Sequence, residues 1–313
     1  MKIKLWIEEN EQTILKSFKL SIDQTNELIN SKNILSNALK WEELYDQIIE
    51  SHLAFKTELY SSALIRIGNS RIDYIANHET RSKLNRLVFN ILNLSKLYLD
   101  KHYYEHKKGK EITKIKCFAM DITGNDEVQN EIKHHRETIY KSSDNYRLGC
   151  ELRRIAQHST LPVKSMSSGF TNSNKNKRTE INSHFNLPIQ KQELLDCGAN
   201  KTLLSNYSEN IDLHEVIDEY IFKISQMHEM NRKLTKSVIE YSKKIFNDLY
   251  KDTELNYGKS KFGIEVHNND EKLFNLELDW YEVVDYLQSK HAFPINHRII
   301  HHNTYLTEQQ KTR

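Results

Sequence analysis

Glycine and proline are scarce in this chain, at 8 and 3 of 313 residues. With so few turn-forming and helix-breaking positions, all-β and fibrous classes are disfavoured and a soluble, mainly helical protein is expected. Cysteine is scarcer relative to need: Cys117, Cys150 and Cys197 are widely spaced, odd in number and absent from any CxxC pair. A disulfide framework and a zinc site are therefore not expected, and a reducing cytoplasm fits best. There is no uninterrupted apolar run of 18 residues and no basic start followed by an apolar stretch, so neither a membrane span nor an export signal is expected. Charge of one sign is not in excess either. A formal charge of +2 is too mild for a surface built to coat nucleic acid, so any RNA contact should be a local patch. Walker loops, GxGxxG and GxSxG are missing, which leaves nucleotide hydrolysis, Rossmann and α/β-hydrolase chemistry unsupported.

What is present is helical periodicity. Residues 1–40 are expected to form a helical extension, with Asp23 as an N-cap. From Trp41 to Ile65, Leu44, Ile48, Leu53, Leu59 and Leu64 recur at helical spacing. Leu84, Leu87, Val88, Ile91, Leu94, Tyr98 and Leu99 form the clearest stripe, which runs out in KHYYEHKKGK. Residues 109–125 show no period and read as a connector. A single long helix is expected from Asp126 through Val128, Ile132, Ile139, Tyr146, Leu152 and Ile155, ending near His158 to Thr160 because Pro162 disfavours helical geometry at Leu161. Val163 to Ser168 and the alternation Thr179, Ile181, Ser183, Phe185, Leu187 suggest a β-hairpin across a polar loop. Helix resumes over 211–243, FGIEVHNNDEKLFNLELDW carries a second hairpin signal, and a last helix follows Trp280. The expected organisation is an extension over 1–40, a helical domain over 41–250 with a hairpin insertion near 163–189, and a C-terminal hairpin and helix over 251–313.

One stretch carries chemistry. RLGCELRRIAQHSTLPV (147–163) packs Arg153, Arg154 and His158 into six positions where a helix must stop. Arginine offers up to five donors to phosphate oxygens, and histidine moves a proton near neutral pH. Cutting RNA without metal needs a base for the 2′-hydroxyl, a cation for the charge on the phosphorane and an acid for the leaving 5′-oxygen. One arginine and one histidine are thin for that work, and a two-fold dimer would double them. Arg154 and His158 share a face in an unbroken helix, while Arg153 and His158 diverge by roughly 140° unless the helix unwinds. The bland reading is that a double arginine suits the helix C-terminus and a terminal histidine caps carbonyls.

LRRIAQHSTLPV resembles the helix-end signature of HEPN-domain ribonucleases, with Arg153 and His158 at the R-x4-H positions. LNRLVFNILNLSKLYLDK (84–101) and IDLHEVIDEYIFKISQMHEMNR (211–232) are similar to the helices that flank that motif, so the resemblance spans roughly residues 40–240. The family usually has a polar residue, commonly Asn, where this chain has Arg154. The resemblance implies a mainly α, HEPN-like helical bundle with one or two short β-hairpin additions. It also implies a homodimer with a composite, metal-independent RNA-cleaving site that needs no cofactor, in a cytoplasmic toxin or abortive-infection effector. Some restraint is expected, because a free ribonuclease harms its own cell: an antitoxin or other regulatory partner, a closed conformation or a phage-derived ligand. On the same resemblance Asn93 and Asp100, nearly on one face of the preceding helix, would support the motif, and Arg154 would assist phosphate binding.

Other features are weaker. Lys175, Lys177 and Arg178 at the tip of the first hairpin could steer RNA. Basic residues interleaved with aromatics in KLYLDKHYYEHKK could help it dock. The pair His102 and His106 and the group His297, His301 and His302 lack acidic or thiol partners, so no metal site is expected. His134 and His135 are expected on a solvated face. A toxin silenced by nucleotidyl transfer would carry a tyrosine just beyond the histidine, and Ser159 to Val163 contains none. The rival to the enzyme is a non-catalytic helical module that binds RNA or protein in a toxin–antitoxin or defence system.

Overall fold

The structure, a computed structural model, describes residues 1–68, 73–109, 111–175, 178–269 and 271–294. The expected histidine group His297, His301 and His302, the tail TYLTEQQKTR, Lys177 and Asp270 lie outside the described residues. In chain order the elements begin with strands β1 (Lys2–Glu9) and β2 (Gln12–Lys19), then helices α1 (Ile22–Gly68) and α2 (Tyr74–His102). Strands β3 (Tyr103–Lys108) and β4 (Glu111–Cys117) lead to α3 (Phe118–Thr123), α4 (Asp126–Ser142) and α5 (Asp144–His158). Then come β5 (Ser167–Lys175), β6 (Arg178–Asn186), β7 (Pro188–Gln190), α6 (Lys191–Asp196), α7 (Lys201–Leu204) and β8 (Asn210–Asp212). The described chain closes with α8 (Leu213–Tyr257), β9 (Ile264–Asn268), β10 (Glu271–Asn275), a 3-10 turn over Asp279–Tyr281 and α9 (Glu282–Lys290). The class is mainly α with small antiparallel additions, and no described helix is long and apolar enough to cross a membrane.

The chain divides into two compact units, each assembled from separate segments. Unit 1 comprises Met1–Ile48, Leu97–Arg136 and Met227–Ala292; unit 2 comprises Ile49–Lys96, Glu137–Gln226 and Phe293–Arg313. The expected boundaries at 40 and 250 fall inside α1 and α8, which run on without a break there.

In unit 1 residues 2–19 are not helix but a hairpin. Lys2 to Ile7 alternate basic or aromatic with aliphatic residues, and Ile3, Leu5 and Ile7 are buried on one face, the period-2 pattern of a strand. Asn10 and Glu11 both take positive φ, 53° and 63°, the two-residue turn that matches strand twist. The sheet order is β10-β9-β1-β2, antiparallel throughout, so the first strand pairs with the late strand β9 at Lys2↔His267 to Leu5↔Ile264. Its inner face packs on Leu28, Leu35 and Ala38 of α1, Phe246 of α8 and Val284 of α9. The α1 cap is Ser21, not Asp23: Ser21 Oγ accepts from Gln24 N while Gln24 Oε1 accepts from Ser21 N, a reciprocal capping box.

The connector expected over 109–125 is instead the β3–β4 hairpin, which turns at Gly109 (φ 65°), followed by α3. Tyr103, Cys117, Ala119, Val128 and Ile132 form its small core. The single helix expected from 126 to 158 is two helices. Ser143 breaks it with extended backbone (φ −139°, ψ 111°), and its hydroxyl accepts from Tyr146 N to start α5.

In unit 2 the β5–β6 hairpin pairs Ser167↔Asn186 through Lys175↔Arg178. The polar residues read as loop are strand, and Val163 precedes the ladder. The buried stripe of α1 here continues through His52, Phe55 and Leu59 at spacings of three and four. Leu53 and Leu64, expected on that stripe, lie off this phase and are exposed.

Candidate functional site

The motif helix α5 is built on an apolar face of Tyr146, Leu148, Leu152 and Ile155, all buried in unit 2. Gly149 lets α5 approach α8 closely: a Cβ there would stand 2.5 Å from Tyr220 Cδ2, and Tyr220 stacks on Tyr146 with ring centroids 5.5 Å apart. The helix ends where Pro162 requires. Ser159 N and Thr160 N both donate to Ile155 O, at 2.8 and 3.2 Å.

The segment that leaves α5 is clamped by α2. Asn85 Nδ2 donates to Val163 O and Asn85 Oδ1 accepts from Val163 N, both at 2.8 Å, as a strand neighbour would do. Arg81 donates to Lys164 O at 3.2 Å. Eight residues along the same helix, Asn93 Oδ1 accepts from Gln157 Nε2 at 2.7 Å, immediately before His158. Asn93 therefore contacts the motif helix at Gln157, between Arg153 and His158 in sequence. Asn85 was missed; nothing in its sequence neighbourhood separates a buried clamp from an exposed polar residue. Asp100 belongs to unit 1, whereas the motif belongs to unit 2.

The two arginines have different fates. Arg154 Nη2 donates to Glu151 Oε2 and to Gly198 O, each at 2.8 Å, which ties α5 to the loop before α7. Arg153 is half-buried, forms no ion pair among the described residues, and keeps its Nε shielded from solvent without an acceptor among them. His158 is exposed in the last turn. Because α5 stays helical through His158, Arg153 and His158 sit about 140° apart around it, so the unwinding that would let them converge within one chain does not occur. Lys175 and Arg178 face each other across the last rung of the β5–β6 ladder.

A second polar group in unit 2 escaped sequence reasoning. Asp218 of α8 is buried, with Oδ1 2.8 Å from His52 Nε2 and Oδ2 2.7 Å from Lys56 Nζ and 3.3 Å from His214 Nε2. Lys56 Nζ also touches His214 Nε2. Burial alone would raise the Asp218 pKa, but hydrogen bonds from His214, His52 and Lys56 hold it far below the carboxylate range. Burial lowers the pKa of His52 more than Asp218 raises it, so that ring is neutral and donates Nε2–H to the carboxylate. Its sequence signal is a pair of i,i+4 spacings, His52/Lys56 and His214/Asp218.

Unit 1 has its own network. Glu42 accepts from Arg232 Nε and Nη2 at 2.8 and 2.6 Å and from His228 Nε2 at 3.1 Å. Burial opposes ionisation, yet these donors hold its carboxyl down to about 2. Behind it Tyr98 hydroxyl lies 3.2 Å from His228 Nδ1, and Asn231 links Tyr98 to His102. Burial pushes His102 down to about 3. A cavity of about 390 Å³ opens beside Trp41, Glu42, Arg232 and Tyr281. The helix ends at His102 and His106 lies in β3, so those two do not share a helical face. His134 is exposed and His135 half-buried. Among the described residues no group of three or more His, Cys, Asp or Glu could hold a metal ion.

Comparison with protein-family models, with curated proteins and with solved structures returns no match. The functional reading therefore rests on the residues.

Proposed function

We propose that the chain is a metal-independent endoribonuclease of the HEPN type, acting as a toxin or abortive-infection effector through a composite site between two copies. The observation that carries this reading is the division of labour between the adjacent arginines. Arg154 is committed to Glu151 and Gly198, while Arg153 has no ion pair among the described residues and His158 stands exposed at the helix end. A guanidinium without an internal carboxylate partner is available to a phosphate. The divergence of Arg153 and His158 around α5 is the reason for two copies: an arginine of one chain would meet the histidine of the other.

In this mechanism His158 transfers a proton and Arg153 stabilises the charge that builds on the phosphorane. The 2′-oxygen attacks phosphorus and the 5′-oxygen leaves, which ends the upstream fragment in a 2′,3′-cyclic phosphate. Arg154 braces the helix in place of binding substrate. Incubation of the protein with total RNA in EDTA, followed by end-group mapping, tests this. Wild type should cut, Arg153→Ala and His158→Ala should each lose about 10²-fold or more, and Arg154→Ala should lose far less. Products with 3′-hydroxyl ends that form only with added magnesium would overturn it. Inert wild type, even with infected-cell extract added, would favour a non-catalytic RNA- or protein-binding module.

A further inference from the structure

Four basic side chains line up across the sheet of unit 1. The register pairs Lys2 with Lys19 on β2 and with His267 on β9, and His267 with Lys272 on β10, so one rung carries Lys19, Lys2, His267 and Lys272. Directly opposed residues share a face, and Ile3, Leu5 and Ile7 take the inner one, so this rung lies on the outer face. We propose that the outer face of this sheet is a docking platform for single-stranded nucleic acid, with Lys2 and Lys19 on its phosphates and Trp6 stacked on a base. The claim stands apart from the cleavage proposed above, since it needs neither Arg153 nor His158.

The rung is satisfied at one end and not at the other. Lys272 Nζ and His267 Nε2 both meet Glu265, at 2.7 and 2.9 Å, and their hydrogen bonds hold its carboxyl below the ordinary carboxylate value. Glu8, the other acidic residue of this face, lies 3.4 Å from Lys261 Nζ. Lys2 and Lys19 stand opposite each other and form no ion pair among the described residues. Like charges so placed destabilise a sheet, and an anion seated between them relieves the repulsion.

Two rungs along the same face, at about 7 Å per rung, Trp6 stands opposite Leu15. The two are 39 % and 43 % exposed, whereas Phe18 and Phe274 of the same sheet pack inward on the core. The support under Trp6 is firm: its carbonyl accepts from Lys261 N at 2.7 Å, and Leu5 and Ile7 on either side are buried. An exposed indole offers a stacking surface to any base, and basic side chains nearby meet the backbone, the combination that binds single strands with little regard to sequence. Charge alone would suit any anion. The ring two rungs from the lysines selects a strand that carries bases beside its phosphates, and a duplex keeps the faces of its bases in its own stack.

Fluorescence anisotropy with a labelled single-stranded oligouridine tests the platform. Its 2′-O-methyl sugars prevent cutting by a 2′-oxygen, and a DNA strand of equal length forms a second arm that separates the two sources of the same chemistry. The full chain should bind at least one strand, and Trp6→Ala should weaken that binding about 10-fold. The double variant Lys2→Gln, Lys19→Gln should make the slope of log Kd against log salt shallower by about 1.4. Lys19→Gln alone should weaken binding yet leave resistance to denaturant unchanged or raised, because it removes the like charge opposite Lys2; a loss of binding through unfolding would show the reverse. Equal binding by wild type and these variants would overturn the platform, as would binding to phosphatidylserine vesicles with none to either strand. If the strand binds as described and total RNA is not cut in EDTA, the proposed function falls and the platform stands. If RNA is cut and none of these substitutions alters binding, the platform falls alone.

Discussion

Among the described residues each unit keeps one buried carboxylate, and the two are satisfied in opposite ways. In unit 1 Glu42 receives a two-pronged Arg232 and a fully buried His228, and Gln288 adds a weaker donor at 3.3 Å. The guanidinium fork matches the carboxylate, and the ring behind it is sealed by Tyr45, stacked at 3.8 Å. In unit 2 Asp218 receives a point-charge lysine and two histidines, and one of those rings reaches solvent. An arginine clamp makes a closed structural knot. A lysine and two histidines around one carboxylate, one of the rings partly exposed, make a network that is not sealed from solvent.

Removal of either carboxylate should produce the largest stability losses in the molecule. Glu42→Ala would strand Arg232 and His228, and Asp218→Ala would strand Lys56; each is expected to cost about 3–5 kcal/mol by denaturant unfolding. The comparison breaks if one costs under about 1 kcal/mol, since that carboxylate would then hold little together.

Acid should separate the units next. His102 and His228 in unit 1 and His52 in unit 2 are held neutral, with folded pKa values below the ordinary 6.5. The unfolded chain therefore takes up protons first as pH drops, so stability is full above about 6.5 and falls below it. Glu42 adds a second loss between its ordinary 4.5 and about 2, and Asp218 a loss that starts near 3.8. Burial also lowers the pKa of His135 in unit 1, so with three such rings against one, amide protection factors should fall more in unit 1 than in unit 2 between pH 6.5 and 5. An equal fall would show that the exposed edge of the unit 2 cluster matters more than the count of such rings.

Gly149→Ala should cost about 1–3 kcal/mol, because the added methyl meets the buried ring of Tyr220 rather than a flexible end. Asn93→Ala removes a single partly exposed hydrogen bond to Gln157 and should cost about 0.5–1.5 kcal/mol, with a larger proportional effect on RNA cleavage if Gln157 steadies His158. Lys236→Ala in unit 1, which breaks an exposed pair with Glu240 at 3.8 Å, should change stability by under about 0.5 kcal/mol.

The elements differ in how readable they were. The end of α5 at His158 follows from Pro162, and the α2 stripe follows from its spacing, because both depend on neighbours within a turn or two. The strand β1 is also written locally, in the alternation of KIKLWI, but six residues are too short a signal beside the helical periodicity that follows. The break at Ser143 has a local cause, a hydroxyl ahead of an acidic first turn, yet the apolar positions on both sides continue in near phase and hide it. In the candidate site, helix phase put Asn93 and Asp100 on nearly one face and the family resemblance alone offered them a role, whereas nothing local marks Asn85, Gly149 or the Asp218 cluster. Each of those acts on a residue more than 70 positions away.

The sequence by itself determined the helical class, the R-x4-H helix and its stop, and the two later hairpins. These follow from steric and hydrogen-bonding rules that operate over a few residues. Only the tertiary structure decided that the first strand joins the β9–β10 hairpin, that Arg154 is ion-paired while Arg153 has no ion pair among the described residues, and that residues of α1 and α8 close around one carboxylate. Those outcomes depend on which distant surfaces must be buried together, and a charge taken into the interior is costly unless partners meet it there.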